Sequence, residues 1–566
     1  MKLSSILFAG IASATMMLAT SCCAPANQCN GDDLSVYQKN IPFDMPQLQR
    51  PTFADYHVCI TEFGGVGDGQ TDNSEAFAQA MKSVSEKGGG HLVVPGGVWS
   101  TGPITFENNV DLHLTDGAVI LFSDDFSRYP IIETSFEGLD TRRCMSPLNA
   151  EGKTNIAITG YGTINGNGDA WRWVKKGKLT GGQWKALLAK GGVTNAKGDI
   201  WFPTEAVKNG YDRADMNVVR GVESEEEWEA LRDYLRPVLL SFRNCKNILL
   251  EGVCFQNSPA WNIHPFLCEN LIINDVMVVN PWYSQNGDGL DIECCKNVLV
   301  VNSKFDVGDD AICVKSGKDE DGRRRGVACE NVVVDGCAVY HGHGGFVVGS
   351  EMSGGVKNVS VKNCMFLGTD VGLRFKSTRG RGGVVENIHI DNINMIDIPT
   401  ECLLFDLYYQ GKSASEALED GDNNPVEEVI PAIDEKTPCF RNIYISNIAC
   451  NGARRAMYFN GLPEMPITNI NVTNANITSE LGVELCESDG VKLSNVKVNV
   501  AKGAALKLTN VKNTSVAGLE HSGNASHGTV VTGKRTENIA ITSKSIAAAE
   551  NLVKVATPEA VKISAE

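Results

Sequence analysis

Aromatic residues make up only 7% of this 566-residue chain. Beyond the first 20 or so residues no apolar run is long enough to cross a bilayer as a helix. Positive charge is short as well: 51 Lys and Arg stand against 68 Asp and Glu, a formal net charge of -17. That balance excludes a protein that grips nucleic acid through its phosphates, and the missing spans exclude a helical membrane channel. The 18 cysteines contain no Cys-x-x-Cys pair, so neither a zinc site nor any other metal centre finds support in them. What is abundant is glycine, at 57 residues, which points to turn-rich β structure rather than a helical bundle. At 42% apolar residues the chain can bury a large core. Its length suits several domains, or one solenoid that grows by repeats.

The first residues carry the pattern of an export signal. Lys2 gives a positive start and residues 6–18 an apolar segment of signal-peptide length. Ala19-Thr20-Ser21-Cys22 is similar to a bacterial lipobox, whose cysteine becomes lipid-anchored after cleavage; ordinary secretory cleavage is the other reading. Both place the mature chain outside the cytosol, in the periplasm or at the outer membrane or cell surface. Residues 1–21 are expected as the signal peptide, 22–50 as a linker, 51–545 as the catalytic body and 546–566 as a tail.

One pattern recurs along the body: an Asn, alternating apolar positions, then a turn rich in Asn, Asp and Gly. The lead residues are Asn247, Asn270, Asn297, Asn331, Asn358, Asn387, Asn442 and Asn469. Most spacings fall between 23 and 34 residues, a solenoid period. Short strands at that period without intervening helices predict an all-β fold, a parallel β-helix, with the asparagines stacked coil on coil. Cys245, Cys268, Cys295 and Cys329 each precede Asn by two positions, so they are expected as an interior column of small apolar side chains rather than disulfides. Residues 72–87 break the pattern and predict an amphipathic helix that covers the first coil, with Phe77, Met81 and Val84 inward. Residues 171–236 lose the period, hold five of the eight tryptophans, and read as a partly helical insertion. Its tryptophans either pack the insertion or stack on sugar rings; Trp is more often buried. Residues 414–436 are expected as an acidic, solvated loop.

Four turns carry the chemistry. Asn286-Gly287-Asp288-Gly289 is followed by Gly308-Asp309-Asp310, with 21 residues from Asp288 to Asp309. Gly342-His343-Gly344 and then Arg374-Phe375-Lys376 follow at intervals close to the coil period. All four are expected on one face, with coils about 5 Å apart. Singly, an Asp beside Gly is a turn former; three carboxylates, an imidazole and two cations at one repeat phase are more than that. Paired carboxyls are what glycosidic cleavage needs, one to donate a proton and one to act on water or carbon. Like charges a few ångströms apart push one proton affinity up, so the roles can divide. Arg374 and Lys376 suit an anionic substrate.

These motifs resemble those of the polygalacturonases, glycoside hydrolase family 28, which carry Asn-Thr-Asp, Gly/Gln-Asp-Asp, Gly-His-Gly and Arg-Ile-Lys. VYHGHGGFVVGS, residues 339–350, is similar to the signature around the family's histidine. The similarity runs from FGGVGDGQTDNSEAF and GYGTINGNGDAW through SPAWNIHP to RGRGGVVENI. The resemblance implies a right-handed β-helix and inverting hydrolysis of pectic galacturonan; no cofactor is expected, and the chain is expected to be a monomer. By position it implies Asp309 as general acid, Asp288 and Asp310 as activators of water, and His343 as support for the acid. Arg374 and Lys376 would bind the uronate carboxylate, with Asn286 beside the substrate. Gly287 stands where the family has Thr, and Phe375 where it has Ile; Gly287 could loosen the backbone beside Asp288. SGKDEDGRRRG, residues 316–326, resembles the bacterial exo-acting members, in which insertions block one end of the groove. Arg379, Arg381, Lys315 and Arg323–Arg325 are expected to add to a positive patch, which a chain of -17 needs to hold a polyanion. A rhamnogalacturonan hydrolase of the same family and a β-helix polysaccharide lyase are the alternatives.

Overall fold

The computed structural model describes residues 33–215, 217–413 and 430–565. The signal-like segment with Cys22 and most of the acidic loop lie outside the described residues. Strands pair in parallel from coil to coil, which makes the fold the right-handed parallel β-helix expected from the repeat. One interior column runs Ile248, Leu271, Val298, Val332, Val359, Ile388, Ile443 and Ile470 in continuous register. All eight are buried.

The repeat works because each lead Asn takes the left-handed conformation, with φ between 53° and 60° from Asn247 to Asn469. Asn tolerates that region better than other side-chain-bearing residues. Its amide then points along the solenoid axis: Asn270 Nδ2 donates to Asn247 Oδ1 at 3.1 Å, Asn297 to Asn270 and Asn331 to Asn297, each at 3.0 Å. The ladder begins two coils earlier than the repeat suggested, at Asn109 and Asn155. The four cysteines before it are free and buried, as expected of packing residues.

Helix α1 (Ser74–Glu86) covers the first coil, with Ala76, Phe77, Ala80, Met81 and Val84 buried. A hairpin, β1 (Ile131–Phe136) and β2 (Leu139–Cys144), then leaves the solenoid as an antiparallel pair. The insertion folds as α2 (Gly181–Ala189), α3 (Glu205–Arg213) and α4 (Glu225–Ala230) beside a small antiparallel sheet. Trp171, Trp173, Trp184 and Trp201 are buried, so they build the insertion's core rather than a sugar platform.

Both ends correct the sequence reading. Residues 33–50 are not a free linker. Leu34 and Leu48 are buried against Leu249, Ile272, Leu299 and Val333 on the solenoid's outer face, and Arg50 pairs with Glu251 at 2.6 Å. Strands apolar on both faces need a cover. At the other end, strands Asn551–Val555 and Val561–Ser564 pair in parallel with the preceding coil, so the expected tail continues the solenoid.

Candidate active site

Four successive strands position the site: β3 (Leu290–Glu293), β4 (Asp310–Lys315), β5 (Ala338–Val348) and β6 (Thr369–Lys376). Leu290, Ile312, Phe346 and Leu373 form their interior column. Buried apolar residues thus hold Asp288 and Asp309 just before β3 and β4, whereas His343, expected in a turn, lies within β5 and is brought beside them because that strand starts earlier. Asp310 lies in register with Gly344. Arg374 does not share that phase: it is level with Val347, further along the strand. The two cations reach back to the acids only because their side chains are long.

One oxygen each from Asp288, Asp309 and Asp310 lies within 4.8 Å of the others. His343 Nδ1 is 3.1 Å from Asp309 Oδ1. Arg374 donates to Asp310 Oδ1 at 3.1 Å and Lys376 to Asp310 Oδ2 at 2.7 Å. Arg374 Nε is buried and makes no hydrogen bond among the described residues, so the guanidinium keeps donor capacity. Three carboxyl oxygens at this spacing could also suit a divalent cation, but Arg374, Lys376 and His343 already bring positive charge to two of the three acids.

The three acids do not titrate alike. Burial, then the charges of Asp291 and Asp309, push Asp288 well above the usual carboxylate range. Burial also raises Asp309, but the neighbouring His343 outweighs it, with Lys376 and Lys178 assisting, and holds this carboxyl below that range. Asp310 is lowered because Lys376 and Arg374 overcome its burial. Burial lowers His343, yet the Asp309 charge wins and raises it. Of the three, Asp288 is thus the carboxyl pushed towards its protonated form, while neighbouring cations favour the ionised forms of Asp309 and Asp310.

Asn286 comes to the site but is committed. Its Oδ1 accepts from Arg236 at 2.7 Å, and its Nδ2 donates to Glu137 at 3.2 Å. Arg236 also donates to the Gln285 carbonyl at 2.6 Å, so the insertion's last residue pins the loop that carries Asp288. The wider positive patch is not assembled. Arg379 pairs with Glu464, Arg381 with Asp319, and Arg323 with the Gly380 and Arg381 carbonyls. Lys315 is buried among acids. Arg324 and Arg325 donate to Asp140 of the hairpin at 2.8 and 2.6 Å. Charged side chains with a near acid pair locally before they pool into a field.

Two groups were missed in the sequence. Lys178 of the insertion reaches the Gly308 carbonyl at 3.4 Å, beside Asp309. Glu137, at the tip of β1–β2, accepts from Asn217 at 2.6 Å, and the Gly138 carbonyl accepts from the Lys318 amide at 3.1 Å. The hairpin tip is thereby clamped onto the turn after β4, with the short helix α5 (Asp319–Arg325) tied to Asp140 beside the tip. No local motif marks either group; both contacts join distant parts of the chain.

The two departures from the family pattern have local reasons. A Cβ at Gly287 would collide with Ser284 Oγ, and so would one at Gly308. Gly287 is therefore tightly packed rather than loose. Phe375 is buried and stacks on Phe405, with ring centroids 4.4 Å apart.

The family model described as "Glycosyl hydrolases family 28" matches residues 228–421, which span all four turns. The crystal structure of a hyperthermoactive exopolygalacturonase from Thermotoga maritima is similar at 33% identity and a TM-score of 0.62. That match covers 78% of this chain and 93% of that one. An exo-poly-alpha-D-galacturonosidase of Dickeya chrysanthemi is 27% identical over 474 residues, 81% of this chain and 74% of its own length. A Vitis vinifera protein named "Probable polygalacturonase" is 28% identical over 432 residues, 75% of this chain and 74% of its own.

Proposed function

The chain belongs to glycosyl hydrolase family 28 and is a polygalacturonase, and from that membership we propose an exo-acting enzyme that releases galacturonate from a chain end with inversion. Asp309 is the general acid, Asp288 and Asp310 activate water, His343 supports the acid, and Arg374 with Lys376 takes the substrate carboxylate. The observation that carries this reading is the cluster itself, three carboxyl oxygens within 4.8 Å of one another beside an imidazole and two cations. Membership in a hydrolase family removes the lyase alternative.

Because Asp288 has the raised proton affinity of the three, the reading takes it as the carboxyl that carries a proton before substrate binds, and includes the transfer of that proton. A uronate carboxylate that engages Arg374 and Lys376 offsets their pull on Asp310 and on Asp309. The proton affinity of Asp309 then rises, and the proton of the trio moves from Asp288 to Asp309. Asp309 is now a neutral acid beside the leaving oxygen, and Asp288 an ionised base. Water oxygen attacks C1 as the C1–O bond breaks; the leaving oxygen takes the Asp309 proton, and the water proton goes to a carboxylate of Asp288 or Asp310.

Support for exo action comes from the clamp of β1–β2 on the turn at Gly317 and Lys318, which walls one side of the site. The Thermotoga maritima and Dickeya chrysanthemi relatives carry exo names. The mature protein should be incubated with polygalacturonate and with rhamnogalacturonan, both in chelator, and the products sized. Steady release of galacturonate monomer from the first polymer is the expected result. A ladder of oligomers would overturn exo action, and cleavage of rhamnogalacturonan alone would overturn the substrate. Proton NMR of the first product reads the anomer and tests inversion.

The proposal extends to export with a lipid anchor at Cys22, on the strength of Lys2, the apolar residues 6–18 and the Ala19-Thr20-Ser21-Cys22 sequence. Cells fed labelled palmitate should label the wild type and not Cys22→Ala; equal labelling, or none in either, would refute the anchor.

A further inference from the structure

Behind the three acids lies a cation that no step above uses. Lys315 closes β4, the strand that Asp310 opens, and its side chain is 3% exposed. Its Nζ is 3.1 Å from Asp291 Oδ1, 3.2 Å from Glu351 Oε2 and 3.6 Å from Asp288 Oδ2. It also sits 4.0 Å from the ring centroid of Trp261. An ammonium withdrawn from water persists only where its charge is met on several sides, and here three carboxyl groups meet it. Glu351 is fixed in turn by the Ser350 hydroxyl, which donates at 2.9 Å. Among the described residues Lys315 is the one cation at ion-pair distance from Asp288, whose Oδ1 is buried without a hydrogen-bond partner.

We propose that Lys315 is a positioning residue for the hydrolysis: held by Asp291 and Glu351, it fixes the Asp288 carboxyl and keeps it able to ionise. This rests on the reading of Asp288 as an activator of water. The charges that face Asp288 are Asp291, Asp309 and Asp310 against Lys315. Those that face Lys315 are Asp291, Glu351 and Asp288, with the Cys313 thiol. Asp291 is also faced by His264, which is bonded to Glu293 at 2.7 Å. Without Lys315, three acids surround Asp288 with no cation in contact, and its ionisation moves to higher pH. Without the Glu351 charge, Lys315 is drawn to Asp288 and Asp291, and that ionisation moves to lower pH. A merely structural lysine would give no such pair of opposite shifts.

The test measures kcat and KM against pH on galacturonan for Lys315→Met, Lys315→Arg, Glu351→Gln and Asp288→Asn, with thermal unfolding of each. Lys315→Met should lower kcat about 10- to 100-fold, as loss of a supporting partner does. Its KM should stay within about twofold, and the acidic limb of kcat should move up by about one pH unit. Lys315→Arg should recover most of the rate, and Glu351→Gln should move the limb down. A loss that falls on KM, or limbs that stay put or move together, would overturn the role. If Lys315→Met does not fold, Glu351→Gln and Lys315→Arg decide it, and an unmoved limb in the first overturns it. Normal turnover in Asp288→Asn would instead remove the reading on which the role depends.

Discussion

His343 Nδ1 lies 3.1 Å from Asp309 Oδ1, and each group shifts the other: the imidazole gains basicity and the carboxyl loses it. His343 thus favours the ionised form of the acid proposed for the reaction, and in the proposed mechanism substrate binding draws the proton to it from Asp288.

If Asp309 is that acid, Asp309→Asn should lower kcat about 10²- to 10⁴-fold, the usual worth of a positioned acid. The variant should still fold, with its unfolding temperature lowered only by what the pair with His343 contributes. Near-normal turnover on galacturonan would show that the acid is elsewhere.

The pair also predicts how stability follows pH. His343 is raised above its ordinary 6.5, so its contribution is complete below 6.5 and lost as pH climbs through the higher folded value. Asp309 is lowered, so its contribution is complete above 3.8 and lost only as pH falls through the depressed folded value. Melting temperatures of wild type and His343→Ala should differ most between these limits and converge above neutrality. A gap that widens with rising pH would contradict the ion pair.

Gly287 and Ser284 form a complementary pair. Gly287→Ala should destabilise by about 1–3 kcal/mol, as overpacking does, because the new Cβ meets Ser284 Oγ and Cβ. In the Ser284→Gly background the same change should cost much less. Urea titrations of the four proteins give the coupling directly, and additive costs would mean that the clash is not the reason for glycine here.

The asparagine ladder separates strain from hydrogen bonding. Asn297 holds φ at 59°, donates to Asn270 and accepts from Asn331. Asn297→Ala loses both bonds and keeps a Cβ in the left-handed region without the amide that makes it tolerable there, whose strain is about 1–2 kcal/mol for an ordinary side chain. Asn297→Gly loses the bonds alone and should be the more stable of the two. Equal denaturation midpoints would assign the whole effect to the amide.

Much of this was legible in the chain. The Asn-led repeat specified the coil because left-handed backbone and axial amide are properties of one residue and its equivalent one turn on. A further signal was present and passed over. ILLE, LIIN, VLVV and VVVD, after Asn247, Asn270, Asn297 and Asn331, are apolar on both faces, whereas VSVKN and IHIDN alternate. The first group lies under residues 33–50, whereas the outward positions of the second carry the polar side chains of Ser360, buried, and His389, half-buried. Continuous apolar strands thus mark where the solenoid has a cover.

Period and residue type alone specify the solenoid, the helix that covers its start, and the repeat phase that brings Asp288, Asp309 and His343 together on adjacent coils. These follow from period and local backbone preference, which neighbouring residues set. The folded chain alone sets which cations reach those acids, that Lys315 lies behind them, that Glu137 holds Asn286, and which of the three carboxyls has its proton affinity raised. Those outcomes depend on side-chain reach between remote segments and on the sum of burial and charge at one point, and no stretch of sequence holds that sum.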